Sequence, residues 1–170
     1  MAKYSVTYAC GHEGTIQLFG SMDKREKQLE IAAAKLCPEC YRKKKETERA
    51  EINKEAERKS DAEGLPKLTG SEKQIAWANT LRLKELKSID EWIEEIRIEG
   101  RAGGIVRSSD GGKYISPAAE MTEGKKFLMQ NMQEAKFWID SRFSMPSEIL
   151  DVGIKGYRKT KKVEKKKSPR

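Results

Sequence analysis

The sequence predicts an α+β chain that is mainly α and built as two small modules. The first has a β-hairpin followed by helices, the last of them long and exposed. The second is helical with a small hairpin, and a disordered basic tail closes the chain. Three observations carry this expectation. Helical periodicity recurs through most of the sequence. Two short stretches alternate apolar and polar residues around glycine turns. Core-forming residues are scarce: over 170 residues the chain is 36% hydrophobic and 36% charged. An average domain runs at about 45–50% apolar and about 25% charged, so each module can hold only a modest core.

The elements follow in order. Tyr4, Val6 and Tyr8 alternate with Lys3, Ser5 and Thr7, which is the period of a strand. Gly11 and Gly14 bracket a turn, and Thr15–Phe19 reads as the returning strand. Ser21 is a candidate cap for a helix over 22–36, with Leu29, Ala32, Ala33 and Leu36 at helical spacing. Pro38 suits the first turn of the next helix, which reaches Lys59 without an internal Gly or Pro. Glu46/Arg49, Glu51/Lys54 and Glu55/Lys59 lie three or four residues apart and support an exposed helix. Residues 1–60 make the first module. Residues 61–68 carry Gly64 and Pro66 and read as a linker.

The second module is expected over 69–154. Ser71 with Gln74 forms a capping box that opens a helix to about Lys87, and Ser88 with Glu91 opens another that ends near Gly100. Ile105–Ser108 and Lys113–Ser116 form a hairpin near 105–116 about the turn dipeptide Asp110-Gly111. Pro117 starts a helical region to Phe143, interrupted at Gly124. Trp77, Trp92 and Trp138 each fall in a helical apolar pattern and read as core, although Trp is also enriched at interface hot spots. Asp140 and Arg142 read as a surface pair.

Charge is unevenly placed. The segment 155–170 holds nine basic residues and one acid, Glu164, and so carries the whole net charge of +8. Residues 1–154 hold 26 bases and 26 acids. A stretch so charged and so poor in apolar groups is expected to be disordered. It is a candidate polyanion-binding arm that acts through counterion release, or a solubility tail.

The sharpest motif is Cys10-Gly11-His12 with Cys37-Pro38-Glu39-Cys40, which uses every Cys and the only His of the chain. Three cysteines are an odd number and argue against a disulfide framework. Three thiols and an imidazole are instead a common closed ligand set for structural Zn²⁺. Gly11 permits a tight bend, and the second pair stands at a helix start where backbone N–H groups face the sulfurs. Cys10, His12, Cys37 and Cys40 are therefore the expected ligands, with Zn²⁺ in a structural role.

Residues 4–45 resemble treble-clef and zinc-ribbon fingers, in which a knuckle on a β-hairpin and a C-x-x-C at a helix start share one zinc. This chain departs from them in the single residue between its first two ligands and in the helix before Cys37. Such fingers serve binders of DNA, RNA and protein alike, so the resemblance implies a scaffold more than a function. Leu68–Ala78 and Ala135–Arg142 are similar to segments of small phage and mobile-element proteins of Gram-positive bacteria. That resemblance implies an accessory or counter-defence role.

Several function classes find no support in the residues. Zinc deaminases need H-x-E with P-C-x-x-C and an open metal position. An HNH-type nuclease, or a Ser-His or Cys-His triad, needs a histidine that the metal already claims. The glycines at 100, 103 and 104 make no phosphate loop. The chain is expected not to be an enzyme, and no small-molecule substrate is indicated. No apolar run approaches a membrane span and no export signal is evident, so a cytoplasmic address is the default.

The leading expectation is a zinc-binding accessory protein that associates with nucleic acid or a nucleoprotein complex. Its candidate contacts are Arg42, Lys43, Lys44 and Lys45, then Lys155, Arg158, Lys159, Lys161, Lys162, Lys165, Lys166 and Lys167. Tyr4, Tyr8, Phe19 and Tyr41 are candidates for base stacking, although the strand alternation assigns at least two of them to the core. The alternative is a protein-binding inhibitor or adaptor of mobile-element origin, with no nucleic-acid specificity of its own.

Overall fold

The computed structural model describes residues 2–108 and 110–167. It is mainly helical, with two antiparallel β-hairpins. The chain divides after Glu51 into two compact units.

In the first unit, β1 (Ala2–Thr7) pairs with β2 (Glu13–Leu18), with Tyr4 opposite Ile16 and Val6 opposite Gly14. Helix α1 (Met22–Ala33) follows and buries no residue. Helix α2 (Pro38–Ala62) starts in this unit. Among its described residues the unit buries only Val6, Leu18 and Cys37 as apolar side chains. So small a core leaves most of the ordering entropy of the unit to be offset by something else. Helix α1 stops three residues short of the expected end. The chain turns there, and the Lys35 carbonyl accepts the Ala9 N–H at 3.0 Å, tying the hairpin turn to the segment between the helices.

The second unit contains α3 (Glu72–Ile98), β3 (Gly103–Arg107), β4 (Lys113–Pro117), α4 (Ala118–Asn131), α5 (Ala135–Asp140), a 3-10 turn (Ser141–Phe143) and α6 (Pro146–Lys167). Its core gathers Ile89, Ile93 and Ile96 of α3, Val106 of β3, Leu128 of α4, Trp138 of α5 and Leu150 and Ile154 of α6. Helices α4 and α6 cross closely at glycines. A Cβ at Gly153 would stand 2.7 Å from Leu128 Cγ, and one at Gly124 would stand 2.9 Å from the Ile154 nitrogen.

Four expectations need correction. Residues 61–68 are not an exposed linker: the first two end α2, and Leu65 and Leu68 are buried in the core. The expected break at Ser88 is absent, because the stripe Leu86, Ile89, Ile93, Ile96 runs through it and holds one continuous helix. The break expected at Gly124 falls instead at 132–134. There the chain leaves the helix to pair with Thr69, whose N–H donates to Gln133 O at 2.7 Å and whose carbonyl accepts from Ala135 at 2.9 Å.

The basic segment from Lys155 is also not disordered where it is described. Helix α6 carries it to Lys167, while residues 168–170 lie outside the described residues. Its first turn is anchored. Ile154 is buried, and Lys155 reaches the Asp151 carboxylate at 2.8 Å. Arg158 donates from Nε and Nη2 to the two oxygens of Glu120 at 2.6 and 2.7 Å.

Candidate metal centre

The residues of the first unit place its four candidate ligands with few contacts. The β1–β2 turn closes when the Tyr8 N–H donates to His12 O at 2.9 Å and the Gly11 N–H donates to Tyr8 O at 2.8 Å. Gly11 takes φ +79°, a left-handed conformation that side-chain-bearing residues resist. Cys10 and His12 therefore project from one tight bend.

Cys37 precedes Pro38, the first residue of α2, and acts as a cap. Its carbonyl accepts the Tyr41 N–H at 2.9 Å, and its Sγ accepts the Cys40 N–H at 3.4 Å. That is the part a serine or aspartate oxygen usually plays at a helix N-terminus. The Cys37 N–H in turn donates to Cys10 Sγ at 3.3 Å.

These constraints bring one donor atom from each of Cys10, His12, Cys37 and Cys40 within 4.8 Å of one another. Histidine Nδ1 lies 3.4 Å from Cys10 Sγ, 3.7 Å from Cys37 Sγ and 3.4 Å from Cys40 Sγ. A tetrahedral zinc with Zn–S of about 2.3 Å and Zn–N of about 2.0–2.1 Å would separate nitrogen and sulfur by about 3.5–3.6 Å. The residues present fit a metal ion, and their donor set and spacing are consistent with zinc.

The electrostatics fit as well. N–H donation from Cys37 and contact with His12 lower the Cys10 thiol to about 6. Hydrogen bonding to Cys37, burial and the neighbouring Cys10 push Cys40 up to about 11. The shifts oppose because Cys10 receives N–H donors while Cys40 faces neighbouring sulfurs, a crowding that a bound cation would relieve. The exposures match a shallow structural site, with Cys37 buried, Cys10 and Cys40 partly covered and His12 exposed.

The candidate polyanion contacts separate into two groups. Arg42 and Lys43 pair with Glu46 and Glu39 at 4.0 and 3.0 Å in exposed pairs, and Lys45 pairs with Glu48 at 2.7 Å in a half-buried one. Such pairs are worth little and exchange readily. Lys44 forms no ion pair among the described residues. Lys155 and Arg158 are committed to Asp151 and Glu120, and the guanidinium holds the Glu120 carboxyl below its ordinary value. Beyond them Lys159–Glu164 are exposed throughout. Lys161 faces Glu164 at 3.7 Å, while Lys159 and Lys162 form no ion pair among the described residues. Lys165, Lys166 and Lys167 continue the helix, and their side chains lie outside the described set.

Of the four aromatic candidates, Tyr4 is half-buried beside Val6, and its hydroxyl accepts from Arg25 at 3.3 Å. Tyr8 and Tyr41 line an open groove with Ile31 and Leu36, and Phe19 is exposed. The three tryptophans differ. Trp138 is fully buried and donates to Met132 O at 2.9 Å, Trp92 is half-buried, and Trp77 is 44% exposed. Arg142 makes no ion pair with Asp140; it lies over the Trp77 and Phe143 rings instead. Sequence periodicity placed Trp77 on the right helix but could not show that its neighbours leave the ring uncovered.

A knuckle on a β-hairpin and a cysteine pair at a helix start, converging on four nitrogen and sulfur donors, make a module that could be a zinc finger. No family model, curated protein or solved structure matches the chain, so what the site does rests on its own geometry. No described helix is long and apolar enough to cross a membrane.

Proposed function

We propose that this chain is a zinc-binding, non-enzymatic accessory protein that associates with nucleic acid or a nucleoprotein complex. The observation that carries the zinc reading is the convergence of Cys10, His12, Cys37 and Cys40 within 4.8 Å. Four protein donors fill a tetrahedron, leave no position for a reacting water, and so favour a structural role over a catalytic one. With Val6, Leu18 and Cys37 as its described apolar core, the first unit depends on the metal for its fold.

The nucleic-acid part is supported by the last turns of α6. They leave the core after Arg158 with every described side chain exposed and with Lys159 and Lys162 free of carboxylates. A run of this kind binds phosphates without base readout and weakens steeply with salt. The test compares the full chain with a chain cut after Arg158, a point that keeps the Lys155 and Arg158 anchors. Loss of most binding on truncation, together with a steep salt slope, supports the reading. Absence of nucleic-acid binding by the full chain at low salt refutes it.

A second reading, a protein-binding adaptor, has one observation in its favour. Ile105 and Ile115 face each other across β3–β4 and are 59% and 70% exposed.

A further inference from the structure

Trp77, Arg142 and Phe143 form a cluster that neither the metal site nor the basic helix uses. Trp77 lies on the first turns of α3, and Arg142 and Phe143 lie in the 3-10 turn after α5. The guanidinium carbon of Arg142 is 4.5 Å from the Phe143 ring centroid and 5.8 Å from that of Trp77. Phe143 is 86% exposed and Trp77 44% exposed. Arg142 is held in place by one bond, from Nη1 to Ile139 O at 2.7 Å. It makes no ion pair among the described residues, so its remaining N–H edge is open to an anion.

The surroundings repeat the pattern. Lys73 and Lys84 stand four residues before and seven after Trp77, on the same side of α3. Both are exposed and neither makes an ion pair among the described residues. Two exposed rings, with Arg142 lying over both, therefore share this surface with two further cations that make no ion pair among the described residues. Trp and Arg are enriched among the residues that dominate binding energy.

From this we infer that the Trp77–Arg142–Phe143 cluster binds single-stranded nucleic acid, stacking unpaired bases on the two rings while Arg142, Lys73 and Lys84 contact phosphates. The inference rests on the nucleic-acid reading above and names the form of the polymer. Exposed rings flanked by cations suit a polymer of bases and phosphates, each base stacking on the ring face that Arg142 leaves free. A duplex keeps its base faces stacked inside and cannot use the rings. Stacking tolerates any sequence, so the cluster confers preference for strandedness and not for base identity.

The experiment uses the full chain with a fluorescein-labelled oligo(dT) and a duplex of equal length at one salt concentration. Anisotropy reads affinity, and tryptophan emission reads contact with Trp77, because Trp138 is buried and Trp92 half-buried. The single strand is expected to bind more tightly than the duplex and to quench the emission. Trp77→Ala with Phe143→Ala is expected to weaken the single strand about fivefold or more and to leave the duplex unchanged. Trp77→Phe is expected to abolish most of the quench and keep the affinity. Circular dichroism checks that the variants fold, as the exposure of both rings implies. Unchanged single-strand binding by the Ala pair overturns the inference and leaves the proposed function standing. Equal losses on single strand and duplex overturn it, because stacking of unpaired bases cannot account for a loss on the duplex. Failure of the wild-type chain to bind either probe overturns both readings and leaves the cluster to a protein partner.

Discussion

Replacing Gly153 by alanine separates helix propensity from packing in the second unit. In an isolated helix the change stabilises by about 0.8–1.0 kcal/mol. Here the added Cβ would stand 2.7 Å from Leu128 Cγ and inside the van der Waals distance of the Gly124 carbonyl oxygen. Carbon contacts normally lie at about 3.5–4.0 Å, so relief requires α4 and α6 to separate by about 1 Å. That separation opens the contact among Leu128, Ile149 and Ile154, which are 0–2% exposed. Overpacking of this kind costs about 1–3 kcal/mol and more where backbone is struck. The net expectation is a loss of about 1–2 kcal/mol, which lowers the melting temperature of a unit of this size by about 4–10 °C. Thermal unfolding followed by circular dichroism measures it. Gly156→Ala serves as the comparison, since its obstacle is the Phe127 ring, a side chain that can turn aside, and it should cost less. A Gly153→Ala protein that melts at or above the wild-type temperature would refute the close crossing and the account of how α6 is held.

Two further outcomes follow from the buried polar groups. Asp151 is 1% exposed and accepts from Tyr114 at 2.9 Å, Ser108 at 3.2 Å and Lys155 at 2.8 Å. Asp151→Ala should therefore destabilise by about 1.5–3 kcal/mol, because it takes the acceptor from the Tyr114 and Ser108 hydroxyls while Lys155 turns to water, and denaturant unfolding reads the loss. Burial raises the Glu85 carboxyl above its ordinary 4.5, with Lys84 opposing in part. The folded state then holds that proton more tightly than the unfolded one. Glu85 costs no stability below the ordinary value and destabilises as pH rises through the raised one. Glu85→Gln should melt higher than wild type at pH 7, with the gap closing below pH 4.5; a gap that is constant with pH contradicts the assignment.

Local chemistry made much of this chain legible. The strand alternation of Tyr4 and Val6, the Asp110-Gly111 turn and the Ser71/Gln74 capping box each recur in the structure, while Tyr8 falls in the turn after β1. The gathering of Cys10, His12, Cys37 and Cys40 was legible because donor type and spacing alone imply convergence. What was not legible depends on contacts distant in sequence. Ser88 with Glu91 looks like a helix start, yet tertiary burial of Ile89, Ile93 and Ile96 carries the helix through it. The break at 132–134 has its cause in Thr69, more than sixty residues away. Lys155 and Arg158 looked like free charge until Asp151 and Glu120 were placed beside them. Trp77 had the periodicity of a core residue, and only the packing of its neighbours shows the ring uncovered.

A zinc ion on Cys10, His12, Cys37 and Cys40 is the proposed support of the first unit. Its most direct test is metal analysis of the purified full chain, alongside amide-exchange protection of residues 2–40, for wild type and Cys37→Ser. The expected result is about one zinc per wild-type chain. In Cys37→Ser the zinc and the protection of 2–40 should both be lost, with the second unit remaining protected. A metal-free wild-type chain whose first hairpin is protected, or a Cys37→Ser chain that keeps that protection, would contradict it.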